Sequence, residues 1–210
     1  MDFFLSIILA VVFPLASGPA AHGQVSEDEE EILSDTEGLF VETHLQGDGV
    51  TVEDDETDSG RGFGVKVGYG FTPLLTGYIG IDGASLDVAD PGTQVSTASE
   101  YALVYVDLGG RLNFRAGSNS AVPYLDGSIS GVASTYNTSA GDATFSGAGV
   151  SLGGGLQYFF SPQFAFNGGL DLTFGSYDEV EVAGETESLD LGFTGARIDI
   201  GVSWYPFQSE

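Results

Sequence analysis

Apolar side chains alternate with small or polar ones in eight segments of this chain, and acidic or turn-forming stretches separate those segments. In the clearest one, Phe63 and Val65 lie on one face and Gly62 and Gly64 on the other. A period of two residues is the signature of a β-strand, whose successive side chains point to opposite faces of a sheet. The chain is therefore expected to be all-β.

The predicted strands cover residues 39–46, 62–71, 75–83, 102–112, 124–129, 150–160, 164–174 and 197–204. Before the last strand the phase of the pattern changes. Leu189, Leu191 and Phe193 are odd-numbered, whereas the apolar residues from Ile198 onward are even-numbered. Since one extra residue switches the face of a strand, we predict a β-bulge near Gly195.

Short connections alternate with long ones along the chain. Those after the second, fourth and sixth strands are short, whereas the others are longer, polar and mostly acidic. The predicted long loops are Asp48–Ser59, Ser85–Ser99, Ser134–Thr144 and Ser176–Ser188. This alternation, the even strand count and segments of about 10 residues are typical of barrels that span the bacterial outer membrane. Aromatic residues cluster beside the short turns, as at a membrane interface. The pattern predicts an eight-stranded antiparallel up-and-down transmembrane β-barrel.

The N-terminal residues predict export. Phe3 to Ala16 is almost entirely apolar but too short for a membrane-spanning helix, which needs about 20 residues. Small residues at Ala21 and Gly23 fit a signal-peptidase site, so cleavage is expected before Gln24. The predicted organisation is a signal peptide at 1–23, an acidic disordered lead-in at 24–36, the barrel at 37–207 and a short tail at 208–210.

Composition excludes several classes of function. The 31 acidic residues outnumber the five Lys and Arg residues, which gives a formal net charge of -26. A surface this acidic repels phosphate backbones, so nucleic-acid binding is not expected. The chain has no cysteine, so it can form neither disulfides nor thiolate metal sites. No cofactor is predicted.

Three stretches resemble the OmpA/OmpX-like and opacity-like outer-membrane barrels, over about residues 37 to 207. They are GFGVKVGYGFTP, GGGLQYFFSPQFAFNGGLDLTF and ARIDIGVSWYPF. The resemblance implies a monomer that contacts outer-membrane lipid and lipopolysaccharide and is inserted by the barrel-assembly machinery. The last stretch looks like the terminal-strand signal which that machinery reads. Its residues here would be Trp204, Tyr205 and Phe207.

Several charged residues fall on the polar face, which a membrane barrel turns inward. Tight antiparallel pairing places an acid opposite each of three bases. The predicted pairs are Lys66 with Glu42, Arg111 with Asp126, and Arg197 with Asp171. Three further acids on this face lack an obvious base: Asp82, Asp107 and Asp199. Lumen water, a bound cation or a protonated carboxyl is expected there. Because side chains fill the interior of so small a barrel, the lumen should be closed to ions.

Other functions remain open from the sequence. A lipocalin-like soluble barrel would turn the apolar face inward. A lipid A-modifying enzyme could use His44 with Glu42 as a general base, and a small cation-selective porin would need an open lumen. The acidic tract from Glu53 to Glu56 could bind Ca²⁺, although it lacks the ligand spacing of an EF-hand loop. The sequence favours a non-enzymatic outer-membrane protein with a structural or surface-interaction role through its acidic extracellular loops, and it does not name the extracellular partner.

Overall fold

The computed structural model describes residues 36–53, 56–89, 100–114, 120–138 and 141–207. Within these ranges the chain forms eight strands: β1 Gly38–Val52, β2 Asp58–Thr72, β3 Leu75–Asp87, β4 Glu100–Asn113, β5 Ala121–Thr138, β6 Gly141–Ser161, β7 Phe164–Val182 and β8 Glu185–Trp204. Each strand pairs antiparallel with the next, and β8 pairs with β1 to close the barrel. The predicted fold class is confirmed. None of the described residues forms a helix long and apolar enough to cross a membrane.

The predicted signal peptide, all but the last residue of the acidic lead-in, and the C-terminal tail lie outside the described residues. Both ends of the described chain lie at one rim of the barrel, because β1 starts and β8 finishes there. We call this rim the terminal end and the opposite rim the distal end. The β2–β3 and β6–β7 turns lie at the terminal end, whereas the β5–β6 and β7–β8 turns lie at the distal end.

Large apolar side chains point outward and form a belt around the terminal half of the barrel. Phe63, Ile129 and Ile200 each leave 67% of their surface exposed, which would be costly in water. The belt includes residues 39–45, 63–71, 75–81, 104–112, 121–129, 150–160, 164–174 and 198–204. These segments are the membrane-spanning part. The outward-facing belt excludes the lipocalin-like alternative, in which the same residues would line the interior.

The strands extend well beyond this belt. β1 to β4 have 13 to 15 residues, whereas β5 to β8 have 18 to 21. A membrane strand needs only about 10. Most residues of the predicted loops Ser134–Thr144 and Ser176–Ser188 therefore lie in strands, so the prediction of long loops there is wrong. The β7–β8 turn consists of Ala183 and Gly184, both with positive φ, as a two-residue hairpin turn requires.

We call the part of the barrel beyond the belt the distal extension. There, polar side chains face outward and apolar side chains face inward. Outward positions such as Ser59, Glu100 and Asp190 are exposed and polar. The interior is instead apolar and aromatic, and we call it the distal cluster: Val50, Leu86, Tyr101, Leu103, Tyr105, Val132, Tyr177 and Phe193. The extension therefore has the polarity of a water-soluble barrel.

This exchange of polarity explains why the predicted bulge at Gly195 is wrong. Gly195 pairs with Val50 and Thr173 in an uninterrupted register. The odd-numbered residues of β8 face inward throughout, and the apolar residues change face because the interior itself becomes apolar. The register irregularity of this hairpin lies in β7, between Tyr177 and Glu179.

Candidate functional site

A second apolar cluster closes the terminal end of the lumen, and we call it the terminal cluster: Phe40, Tyr78, Val122, Phe159, Ala165 and Tyr205. Between the two clusters lies a polar layer. It is made of inward-facing side chains that are at most 8% exposed: Glu42, His44, Lys66, Asp82, Asp107, Arg111, Asp126, Asp171, Arg197 and Asp199. These charges are therefore shielded by protein from both rims of the barrel.

Arg111 forms the first ion network of this layer. Its Nη1 donates to Glu42 at 3.3 Å, and its Nη2 donates to Asp126 at 3.4 Å. The guanidinium also lies over the ring of Tyr124, 3.9 Å from the centroid. The structure thus brings Arg111 and Asp126 together, as the sequence predicts, and adds Glu42 from the closing strand β1.

Arg197 forms the second network, with partners that differ from the predicted one. It lies opposite Asp171 in the register of β7 and β8. However, its Nη1 donates to Asp82 at 2.7 Å and to Asp107 at 2.9 Å. The long side chain crosses the lumen to β3 and β4, because the interior is only as wide as its side chains. Asp82 and Asp107, which the sequence left without a base, therefore share Arg197.

Lys66 also departs from the prediction. It lies opposite Glu42 in the β1–β2 register, but its Nζ is 4.0 Å from Asp171. Glu42 instead accepts hydrogen bonds from Arg111 and from Ser203 Oγ, the latter at 3.1 Å. The strand register predicts which residues form the polar layer, but it does not predict all of the contacts between them.

His44 lies in the polar layer rather than at an accessible rim. Its Nε2 is 2.8 Å from Asp82, and its Nδ1 is 3.7 Å from Glu42. Its ring is 2% exposed and faces the lumen. Within the described structure its partners are two carboxyl groups, and no serine hydroxyl is bonded to it. This placement does not suit a base that must act on a lipid outside the barrel.

Inward-facing glycines decide which charges meet, and the strand pattern alone does not single them out. Gly64 lies between His44 and Asp82 in the register. A Cβ at Gly64 would collide with both of those side chains. The side chains of β1 and β3 therefore meet above Gly64, although strand β2 separates their backbones. The sequence signal for such a contact is a glycine at an inward position that has polar residues opposite it on both neighbouring strands.

Two further groups of predicted site residues are located by the structure. Trp204 points outward, Tyr205 is buried in the terminal cluster, and Phe207 is 79% exposed. Among the described residues no group of three or more His, Asp or Glu side chains could hold a metal ion. Asp54 and Asp55 of the acidic tract lie outside the described residues.

Known proteins share this architecture. The outer membrane protein beta-barrel domain model matches residues 8–205. Neisserial surface protein A (NspA) is 13% identical, with a TM-score of 0.62, and the match covers 80% of this chain and 97% of that one. OprG from Pseudomonas aeruginosa is 12% identical, with a TM-score of 0.54, and the match covers 82% and 98%. No curated protein matches the sequence. The family match covers nearly the whole chain, and the chain therefore belongs to the outer membrane protein β-barrel domain family.

Proposed function

We propose that this protein is a closed, non-enzymatic barrel of the bacterial outer membrane that binds an external partner through its distal extension. The observation that carries this proposal is the exchange of polarity beyond the apolar belt. A chain that needed only to span the membrane would not require strands of 18 to 21 residues with a packed interior outside it. The extension is a folded, water-exposed surface.

The interior packing makes this surface rigid. The rings of Tyr101 and Tyr136 stack with their centroids 4.4 Å apart, and Tyr177 packs on Phe193 at 4.8 Å. Ser134 and Tyr177 share a hydrogen bond of 2.7 Å across the extension. A preformed surface loses little conformational entropy when it binds, which favours recognition.

The charge of the extension indicates a basic partner. From residue 116 to residue 196 the chain contains no Lys or Arg. The exposed acids of the β7–β8 hairpin are Asp178, Glu179, Glu181, Glu185, Glu187 and Asp190. A single-sign surface attracts partners of the opposite charge and excludes those of like charge.

An edge of β8 that lacks a paired strand among the residues that the structure describes provides a binding site for that partner. The β1–β8 ladder stops at Val52 and Phe193, and one further bond joins Glu53 N to Gly192 O. Within the described residues, the β8 segment from Glu185 to Leu191 pairs only with β7. An unpaired strand edge can accept an extended peptide by β-augmentation. We therefore expect an extended, basic segment to bind along β8.

Binding can be measured with the barrel in lipid nanodiscs and an extended peptide of alternating Lys and Thr as the probe. The test variant combines four substitutions on the hairpin: Glu179→Gln, Glu181→Gln, Glu185→Gln and Glu187→Gln. The control combines Asp87→Asn and Glu100→Gln on the opposite side of the rim. We expect the test variant to weaken binding at least tenfold and the control to weaken it less than twofold. Equal binding by both variants would refute the assignment of this surface.

A further inference from the structure

The polar layer contains more acid than base. Among the described residues, seven carboxyl groups are buried inside the barrel. Six belong to the polar layer, namely Glu42, Asp82, Asp107, Asp126, Asp171 and Asp199, and the seventh is Asp48. Facing them are Lys66, Arg111, Arg197 and His44. Even with His44 protonated, three negative charges have no counter-charge. Isolated carboxylates are very costly in a closed, water-poor interior, so protons or cations must neutralise part of this excess.

Asp126 and Asp171 bring two of these carboxyl groups together. They lie opposite Gly153 from its two sides, on β5 and β7. Their Oδ1 atoms both crowd the position that a Cβ on Gly153 would occupy, so the two carboxyl groups meet face to face above the glycine. Gly64 joins His44 to Asp82 by the same geometry. There the two groups are complementary, whereas at Gly153 both are acids.

The environment of the two acids leaves this contact without a donor. Asp126 is 7% exposed, and its Oδ2 accepts from Arg111. Its Oδ1 has no hydrogen-bond partner within the described structure and points at Asp171. Lys66 reaches the far oxygen of Asp171, Oδ2, at 4.0 Å. Arg111 and Lys66 therefore lie against the outer oxygens of the pair, and the two inner oxygens are left facing each other.

We propose that Asp126 and Asp171 hold one proton between them and form a carboxylic acid–carboxylate pair inside the barrel. Two carboxylates in contact cannot both remain ionised, and a shared proton supplies the hydrogen bond that Asp126 Oδ1 lacks. A metal ion fits less well, since the described residues offer no group of three ligating side chains. The remaining charged neighbours of the pair are Arg111 on β4, Lys66 on β2, and Arg197 and Asp199 on β8. Arg197 lies opposite Asp171 in the register, but its Nη1 binds Asp82 and Asp107 instead.

Infrared spectroscopy of the barrel in lipid vesicles, in D₂O buffer with EDTA at neutral pH, tests this proposal. A protonated carboxyl has a C=O stretching band that a carboxylate lacks. We expect this band in the wild type. Its intensity should decrease by the same amount in Asp126→Asn and in Asp171→Asn. The exposed control Asp178→Asn should keep it. Heat-dependent electrophoretic mobility establishes that each variant is folded.

Gly153→Ala provides a second test that keeps both acids. Its Cβ would push the two carboxyl groups apart, so the band should also decrease in this variant. The proposal is overturned if the wild type has no acid band, or if the band keeps its full intensity in both Asp variants. It is also overturned if the band is present only after EDTA is added, because a metal ion would then have occupied the pair.

Discussion

Arg111 illustrates how strongly a single residue can matter in this lumen. It is 1% exposed, binds Glu42 and Asp126, and stacks on Tyr124. Removing one partner of a buried charge network typically costs about 3 to 5 kcal/mol, because the other charges are left buried and unpaired. We expect Arg111→Ala to lower the free energy of unfolding by that amount, measured by urea titration in lipid vesicles.

The matched control for this substitution is Arg61→Ala. Arg61 is exposed on the outer face of β2, where substitutions usually change stability by less than about 0.5 kcal/mol. Equal losses in the two variants would contradict a special role for the buried network and would instead indicate a general effect of losing a positive charge.

Tyr136 provides a pH-dependent test in the distal extension, outside the membrane-spanning segments. Burial raises the pKa of its hydroxyl to about 12, above the usual value of about 10. A raised pKa means that the folded state favours the neutral phenol. The associated stability is present below about pH 10 and is lost as the pH rises towards 12. In Tyr136→Phe, ultraviolet titration should show one fewer tyrosine ionising near pH 12, and alkaline unfolding should begin at a higher pH. If the titration curves of the wild type and Tyr136→Phe differed only near pH 10, the Tyr136 hydroxyl would be exposed to solvent.

At the scale of one element, β8 closes the barrel and leads into the predicted assembly signal. Two residues of that predicted signal, Trp204 and Phe207, are exposed, and the β1 pairing that closes the barrel begins at Val41 and Trp204. We expect Phe207→Ala to reduce the yield of heat-modifiable barrel in isolated outer membranes severalfold. Deletion of residues 208–210 should leave the yield unchanged. Loss of folding on that deletion, with no effect of Phe207→Ala, would contradict this interpretation of the strand.

At the scale of the whole molecule, the lumen is divided into three zones along its axis. Buried aromatic residues fill both ends, including Tyr105 and Phe193 distally and Phe40 and Phe159 at the terminal end. The bases Arg197 and Arg111 stack on Tyr105 and Tyr124 in the layer between them. An ion would have to cross both apolar clusters and exchange with fixed charges.

We therefore expect no stable conductance from the wild-type barrel in planar lipid bilayers. A known porin inserted under the same conditions is the control for membrane and electrode function. Reproducible, long-lived and cation-selective channels would contradict the closed lumen and would favour the small-porin alternative.

The sequence by itself determined the strand number, the topology and the residues of the polar layer. These follow from local rules, because a period of two assigns each side chain to a face, and tight turns determine which residues lie opposite one another. Lys66 opposite Glu42 and Arg111 opposite Asp126 are examples, and both register pairs are present. The outward belt agrees with the membrane barrel that this pattern predicts.

Only the tertiary structure decided the contacts inside the barrel and the length of the extension. Arg197 meets Asp82 and Asp107 because long side chains cross a narrow lumen between strands that are distant in the sheet. Asp126 and Asp171 meet because Gly153 leaves space between them. The distal interior is apolar because strands that leave the membrane must bury a core against water. A periodic pattern identifies two faces of a strand, but only the closed barrel and its surroundings determine what each face meets.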